Sequence, residues 1–113
     1  MNAFLFGLFV FFVNCSNDSP LFSSAPEANY AELVKNGAII VDVRTPGEFK
    51  SGHIKGSINI PLDDIKNKTE ELKKKNKVII TCCRSGNRSG MAKSMLQSAG
   101  IECHNGGAWN MLN

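Results

Sequence analysis

The chain has 113 residues, of which 42% are hydrophobic and 20% are charged, and its formal net charge at pH 7 is +3. This length excludes more than one domain, and the composition is that of an ordinary globular protein. Six lysines cluster between Lys66 and Lys77, but no aromatic residue interleaves with them. The cluster therefore indicates a solvated helix face rather than a patch for nucleic acid or anionic lipid.

The first 14 residues contain five phenylalanines and no charged side chain. Their apolar part, 3–13, is shorter than the roughly 20 residues that span a bilayer, and it is typical of the centre of a signal peptide. Cys15 follows directly, as at a bacterial lipoprotein cleavage site. We expect a lipoprotein-type signal peptide over 1–14 and lipidation of Cys15, which would anchor an exported, periplasmic protein to a membrane. A plain signal peptide with an unmodified Cys15 is the alternative.

A polar tether and a first helix are predicted next. Residues 15–25 are polar, and a Ser-x-x-Glu capping box at 24–27 precedes a helix that ends near Asn36, with Gly37 as its terminator. The apolar, β-branched run at 38–43 predicts a strand that is buried on both faces.

The middle of the chain repeats this alternation. A second capping box at 45–48 predicts a short helix through Lys50. Residues 57–60 predict another short strand. The polar, lysine-rich region at 63–75 predicts a helix, with a possible break near Asn67.

The last third contains a strand, a helix and a further strand. Residues 77–82 predict a buried strand, 89–99 predict a helix with Ser89 as its N-cap, 101–103 predict a final strand, and a terminal turn holds Trp109. The residues expected on the buried face of that helix are Met91, Met95, Leu96 and Ala99. Strands thus alternate with helices, which predicts the α/β class: a central, mainly parallel sheet flanked by helices on both faces.

The cysteines do not form a disulfide framework, because Cys15 is expected to be modified and adjacent cysteines rarely pair. Cys82 and Cys103 would be able to form a disulfide if their strands were neighbours, and two buried thiols are the alternative. The metal-binding spacing C-x-x-C is absent and the two histidines lie far apart in sequence, so no metal site is predicted.

Residues 83–88 lie between a buried strand and a helix, where ligands bind in folds of this class. Their backbone N–H groups lack strand partners, and Gly86 permits the backbone angles that curl them into an anion-binding nest at a helix N-terminus. Cys83 opens this nest, so its thiolate is favoured and it is the predicted nucleophile. Cys82 still belongs to the strand and is expected to pack on the opposite side.

The loop "CRSGNRS", with the pattern C-x-x-G-x-R-S, resembles the active loop of the rhodanese family of sulfurtransferases. The segment "IIVDVRTPGEFKSGHIKGSINIPL" is similar to the family's first-half signature, and Gly106-Gly107 with Trp109 resembles its closing turn. The resemblance covers about residues 26–113, which we expect to form one rhodanese domain. A single such domain on an exported chain resembles the periplasmic, phage-shock type.

The resemblance implies a persulfide relay. Cys83 would take the outer sulfur of thiosulfate or a similar donor and pass it to cyanide or to a thiol. Arg84 is expected to face the sulfonate oxygens of the donor, and Arg88 to brace the loop. The residues expected to bind the substrate are Arg84, Ser85, Gly86, Asn87 and Arg88. The spacing C-x4-R is one residue shorter than the C-x5-R of the phosphatase relatives, which argues against a phosphatase.

Several residues near the loop are expected to be structural. His53 is expected to pack or to form a hydrogen bond within a loop rather than to act in catalysis, and His104 is also expected to be structural. Arg44 and Glu48 are expected to pair and to fix the short helix. Trp109 either walls the pocket or packs the terminal turn.

The predicted partners are a small anionic sulfur donor and an acceptor that is cyanide or a thiol, which a protein can carry. No cofactor and no nucleic acid are expected, membrane contact is expected only through the lipid anchor, and the domain is expected to be a monomer. Two alternatives stay open: a persulfide carrier with slow turnover on small donors, and a non-catalytic binding module.

Overall fold

The computed structural model describes residues 29–112, so the predicted signal peptide, the lipidation at Cys15, the tether and the capping box at 24–27 lie outside the described residues. Within 29–112, no helix is long and apolar enough to cross a membrane. The elements are α1 Tyr30–Lys35, β1 Ile39–Asp42, α2 Pro46–Ser51, β2 Ile58–Asn59, α3 Leu62–Lys74, β3 Ile79–Cys83, α4 Asn87–Ser98, β4 Cys103–Ala108 and a 3-10 turn Trp109–Met111.

The strands form one parallel sheet in the order β2-β1-β3-β4. This confirms the predicted α/β class and the parallel sheet. β1 and β3 are the central neighbours, and Asp42 at the end of β1 lies in register with Cys82 near the end of β3. The residues that follow the two strands therefore emerge side by side at the carboxyl edge of the sheet, where α/β folds bind ligands.

Local capping explains where the first two helices begin. Thr45 caps α2, and its backbone and side chain exchange hydrogen bonds with Glu48, so the predicted second capping box is confirmed. Helix α1 is capped by Asn29, whose side-chain oxygen accepts from the Glu32 N–H at 3.1 Å. Its C-cap is Asn36 and Gly37 follows, close to the end that the sequence predicts.

Four details of the secondary-structure prediction are wrong. Helix α3 runs without a break past Asn67. Helix α4 begins at Asn87 with Gly86 as its N-cap, so Ser89 is a residue of the first turn rather than the cap. Strand β3 includes Cys83 as well as Cys82. Strand β4 starts only at Cys103 and continues through both glycines of the pair, because its backbone pairs with β3 over 103–105 and again at Ala108, with a shift of register between them.

The core lies between the sheet and the helices α3 and α4. Its largest buried side chains include Val41, Val43, Ile65, Leu72, Ile79 and Leu96. The predicted buried face of α4 is partly wrong, because Met91 is 55% exposed. Ala92 and Leu96 are instead the buried apolar residues of α4, and Met95 and Ala99 pack against the core at its margin.

The register of β3 and β4 excludes a disulfide between Cys82 and Cys103. Cys103 is the Cα partner of Ile79 at the start of β3, whereas Cys82 lies three residues further along that strand. A three-residue offset corresponds to about 10 Å along a strand, well beyond the reach of a disulfide. Both cysteines are buried free thiols, as the alternative prediction held.

Candidate functional site

A tight turn joins β3 to α4. The strand ends at Cys83 and the helix begins at Asn87, so Arg84, Ser85 and Gly86 make the whole connection. Gly86 has φ +103 and ψ −11, in the left-handed region that a side chain would disfavour. This conformation aims the Gly86 N–H back at the Cys83 sulfur, 3.0 Å away. The predicted role of Gly86 as the residue that lets the loop curl agrees with this geometry.

The Cys83 sulfur lies at the centre of a set of hydrogen-bond donors. Besides the Gly86 N–H, it is 3.4 Å from the Ser89 N–H and 3.4 Å from the Ser89 Oγ. Burial alone would raise the pKa of this thiol. The hydrogen bonds from the Ser89 hydroxyl and from the N–H groups of Ser89, Gly86 and Ser85 together outweigh burial and lower the pKa below its ordinary value.

Cys82 differs sharply from its neighbour. It is fully buried, and burial together with the nearby Asp42 carboxylate raises the pKa of its thiol to about 12. At neutral pH Cys82 is therefore a neutral thiol, whereas Cys83 is the thiol whose ionised form the loop stabilises. This difference favours the predicted order of reactivity.

Arg44 does not pair with Glu48, which corrects the prediction. Its guanidinium forms a two-pronged ion pair with Asp42, with Nη2 to Oδ2 at 2.7 Å and Nε to Oδ1 at 2.9 Å. It also donates to the Gly52 carbonyl at 2.6 Å and lies 4.6 Å from the centre of the Trp109 ring. Asp42 is fully buried at the end of β1, and Arg44, two residues along, satisfies its charge there.

Glu48 pairs instead with Arg88 of α4. The two side chains meet through two hydrogen bonds, at 2.8 and 3.1 Å. The Arg88 side chain, followed by the Thr45 backbone, lowers the pKa of Glu48 to about 2. The pair joins the first turn of α2 to the first turn of α4, so Arg88 braces the loop from its helical end, which is the role expected of it.

A depression of about 440 Å³ opens beside the loop. It is lined by Arg44, Glu48, Ser51, Arg84, Trp109 and Asn110. Trp109 thus walls the depression as well as packing the terminal turn. Another depression, of about 400 Å³, lies at the amino-terminal edge of β3 beside Leu72 and Val78, and none of the predicted site residues lines it.

The predicted substrate-binding residues occupy four different positions. Gly86 and the Ser85 N–H face the sulfur, Arg84 lines the depression, and Arg88 is engaged with Glu48. Asn87 begins α4 and is exposed. Cys83 itself has 0% relative exposure, so the surrounding residues cover its sulfur in this conformation.

The two histidines lie in structural contacts. His53 donates through Nδ1 to the Phe49 carbonyl at 2.7 Å and stacks on the Phe49 ring, which is the packing role expected of it. His104 contacts Glu102 at 3.3 Å. Among residues 29–112, no group of histidine, cysteine, aspartate or glutamate side chains is arranged to hold a metal ion.

Two residues that the sequence did not single out as site residues contact this centre. Ser89, predicted as a helix cap, is fully buried beside the Cys83 sulfur. Asn105 accepts from the Ser89 hydroxyl at 2.6 Å and donates to the Gly86 carbonyl at 3.1 Å. An asparagine directly before the Gly-Gly pair was the only signal, and its importance depends on the pairing of β3 with β4.

Comparison with known proteins identifies the class. The family model described as "Rhodanese-like domain" matches residues 26–110. The chain is 36% identical over 61 residues to the thiosulfate sulfurtransferase PspE of Escherichia coli K12, covering 53% of this chain and 59% of PspE. It is 35% identical over 63 residues to the putative sulfur carrier protein YrkF of Bacillus subtilis, covering 56% of this chain and 34% of YrkF.

A solved structure described as a rhodanese with anions from E. coli superimposes with a TM-score of 0.60 at 32% identity, covering 66% of this chain and 89% of that one. The residues that the family model matches, 26–110, include the turn, the ion pairs and the sheet described above. The chain belongs to the rhodanese-like domain family. Its curated relatives include a thiosulfate sulfurtransferase and a putative sulfur carrier, and in each the match spans less than two thirds of the relative's own length.

Proposed function

We propose that this protein is a sulfurtransferase that moves sulfane sulfur from thiosulfate, or a similar anionic donor, to cyanide or a thiol through a persulfide on Cys83. The observation that carries the proposal is the set of donors around one sulfur. The Gly86 N–H, the Ser89 N–H and the Ser89 hydroxyl surround Cys83 Sγ at 3.0 to 3.4 Å. They stabilise an anion there, as a thiolate nucleophile requires.

The reaction balances with no cofactor. The Cys83 thiolate attacks the outer sulfur of thiosulfate and forms a new S–S bond. The bond between the two sulfurs of the donor breaks, and sulfite leaves with the electron pair. The outer sulfur of the resulting persulfide is then attacked by the cyanide carbon, which yields thiocyanate and restores the thiolate.

The turn serves both states of the sulfur. The N–H groups that stabilise the thiolate are already oriented before reaction, so little reorganisation is needed when negative charge moves to the outer sulfur of the persulfide. Ser85, Gly86 and Asn87 contribute through this backbone, and Arg88 holds its helical end against Glu48.

Arg84 is proposed to recognise the anionic donor. Of the arginines near the turn, Arg44 is neutralised by Asp42 and Arg88 by Glu48. Arg84 is exposed at the depression, and none of the ion pairs found in residues 29–112 involves it. Its guanidinium is therefore the positive charge available to the oxygens of a sulfonate.

Steady-state sulfur transfer from thiosulfate to cyanide tests this function. The wild type should turn over, Cys83→Ser should not, and Arg84→Ala should raise the KM for thiosulfate about tenfold through loss of a charge-assisted hydrogen bond. The KM of Arg84→Lys for thiosulfate should lie between that of the wild type and that of Arg84→Ala. Lys66→Ala, on the exposed face of α3, serves as the matched control. Turnover by Cys83→Ser, or an unchanged KM in Arg84→Ala, would contradict the proposal.

A persulfide carrier is the second candidate, favoured by the complete burial of Cys83. If a partner protein must expose the buried sulfur, the protein would turn over slowly with small donors. YrkF, one of the relatives, is named a putative sulfur carrier protein. Loading of sulfur on Cys83 with negligible turnover to cyanide would favour the carrier. The binding-module alternative has less support, because the nucleophile and its donors are both intact.

We also propose that the protein is exported to the periplasm and anchored through acyl chains on Cys15. The support is the uncharged, phenylalanine-rich segment that precedes Cys15 in the sequence. Metabolic labelling with a fatty acid should mark the wild type and not Cys15→Ala. A mature protein that carries no label would contradict the lipid anchor.

A further inference from the structure

We propose that Asn105 is a positioning residue for the sulfur chemistry. Asn105 acts by setting where the Ser89 hydroxyl lies relative to Cys83. The inference rests on the proposed function of Cys83 as the sulfur nucleophile. Asn105 lies on β4, 22 positions along the chain from Cys83, and is half-buried.

The Ser89 Oγ lies between two partners. It is 3.4 Å from Cys83 Sγ and 2.6 Å from Asn105 Oδ1. A hydroxyl has one proton and two lone pairs. With a neutral thiol, the S–H donates to Ser89 Oγ while the hydroxyl proton is donated to Asn105. The three groups then form one continuous chain of hydrogen bonds.

Ionisation of Cys83 reverses the direction of the hydrogen bond between Cys83 and Ser89. The thiolate has no proton to give, so the Ser89 hydroxyl stabilises it by turning its own proton toward the sulfur. Asn105 Oδ1 then loses one donor but retains another, the Gly107 N–H at 2.9 Å. The carbonyl oxygen is therefore not left unsatisfied, and the turn of the hydroxyl avoids the cost of a buried unpaired acceptor.

The carboxamide of Asn105 is fixed at both ends. Its Nδ2 donates to the Gly86 carbonyl at 3.1 Å, and its Oδ1 accepts from Gly107. Its backbone lies in register with Thr81 of β3, and the Thr81 hydroxyl donates to the Ser89 carbonyl at 2.9 Å. Asn105 thus holds the Ser89 Oγ and the turn at Gly86 at set distances from the sulfur.

The side chain must supply both an acceptor and a donor, which is why an asparagine suits this position. Alanine would supply neither. Aspartate would keep the acceptor for Ser89, lose the donor to Gly86, and place a negative charge next to a sulfur that must itself become negative. Both substitutions should therefore disfavour the thiolate of Cys83.

Thiolate absorbance in the ultraviolet, titrated against pH in the full chain and referred to Cys83→Ser, measures this effect without any sulfur donor. We expect Asn105→Ala and Ser89→Ala each to raise the pKa of Cys83. At a pH below both pKa values, the thiolate fraction should fall about tenfold, as loss of one hydrogen bond to a charged group predicts. Asn67→Ala, at an exposed position on α3, is the control and should titrate like the wild type.

The double variant separates positioning from general loosening. If Asn105 acts through Ser89, then Asn105→Ala should raise the pKa of Cys83 by less than half as much when Ser89 is already alanine. A wild-type titration in Asn105→Ala, or an undiminished effect in the double variant, would overturn the proposal. If Asn105→Ala does not fold, Asn105→Asp, which preserves the shape, replaces it, and a wild-type titration there would equally overturn the proposal. A chain that titrates as expected but transfers no sulfur would contradict the proposed function alone.

Discussion

Cys82 and Cys83 are adjacent, yet their surroundings shift the pKa values of the two thiols in opposite directions. Cys82 lies next to Asp42 of the neighbouring strand in a fully buried position, so its thiol is held neutral. Cys83 is equally buried, but the turn that follows directs N–H groups and a hydroxyl at its sulfur. Burial raises the pKa of both thiols, and only the hydrogen bonds at Cys83 reverse its effect.

The three buried thiols should react with an alkylating reagent in a defined order. The pKa of Cys82 is about 12 and that of Cys103 about 11, while that of Cys83 is lowered. Because only the thiolate is alkylated, iodoacetamide at neutral pH should modify Cys83 before the other two. Peptide mapping of the folded protein at low extents of reaction measures this order, and earlier modification of Cys82 would contradict it.

At the scale of elements, the turn before α4 is held from two sides. The pair of Arg88 with Glu48 attaches the start of α4 to α2, and Asn105 attaches the turn to β4. Glu48 also completes the capping box of α2 by accepting from the Thr45 N–H at 3.0 Å. One carboxylate therefore stabilises the start of one helix and the position of another.

The Glu48 contacts should make stability depend on pH in a defined range. The pKa of Glu48 is about 2 in the folded chain against an ordinary 4.5, so the stabilisation is fully present above 4.5 and is lost as the pH falls toward 2. The thermal midpoint of Glu48→Gln should lie below that of the wild type at neutral pH, and the two should converge toward pH 2. Glu71→Gln, which removes an exposed pair with Lys68, is the control. Parallel curves for Glu48→Gln and the wild type would contradict this assignment.

The contact of β4 with β3 leaves no room for a side chain at Gly106. A Cβ there would lie 2.8 Å from Leu112 Cδ1, 2.9 Å from Ile80 Cγ2 and 3.0 Å from the Thr81 carbonyl. Gly106→Ala should therefore reduce the free energy of unfolding by about 1–3 kcal/mol, the usual cost of overpacking. Gly47→Ala in α2, where nothing lies within 4 Å, is the matched control. Urea unfolding measures the free energy of unfolding of both variants. A Gly106→Ala variant as stable as Gly47→Ala would contradict the close contact of β4 with β3.

At the scale of the whole molecule, one core supports the site. Leu96 of α4 is fully buried, so Leu96→Ala should cost about 2–5 kcal/mol of unfolding free energy by leaving a cavity. Met91 on the same helix is 55% exposed, and Met91→Ala should change stability by less than about 0.5 kcal/mol. Chemical unfolding of the two variants tests this contrast, and similar costs would contradict the placement of α4.

Local signals predicted much of this molecule, and long-range contacts explain what they missed. The strand runs, the Thr45 capping box and the curl at Gly86 depend on neighbouring residues, so sequence patterns indicate them. Arg44 pairs with Asp42, only two residues before it, because the Asp42 carboxylate is buried, and the sequence does not show the burial of a single side chain. The partner of Glu48 does not follow from sequence spacing, because Arg88 reaches it only where α2 and α4 meet. The same holds for Asn105, which reaches Ser89 only through the parallel pairing of β4 with β3.

The most direct test of the account is the intact mass of the reduced protein after incubation with thiosulfate alone. Wild type, Cys82→Ser and Cys83→Ser would be compared, with circular dichroism to establish that each is folded. A persulfide on Cys83 predicts the gain of one sulfur atom by the wild type and by Cys82→Ser, and none by Cys83→Ser. Addition of sulfur to Cys83→Ser, or no addition to the reduced wild type, would contradict a persulfide on Cys83.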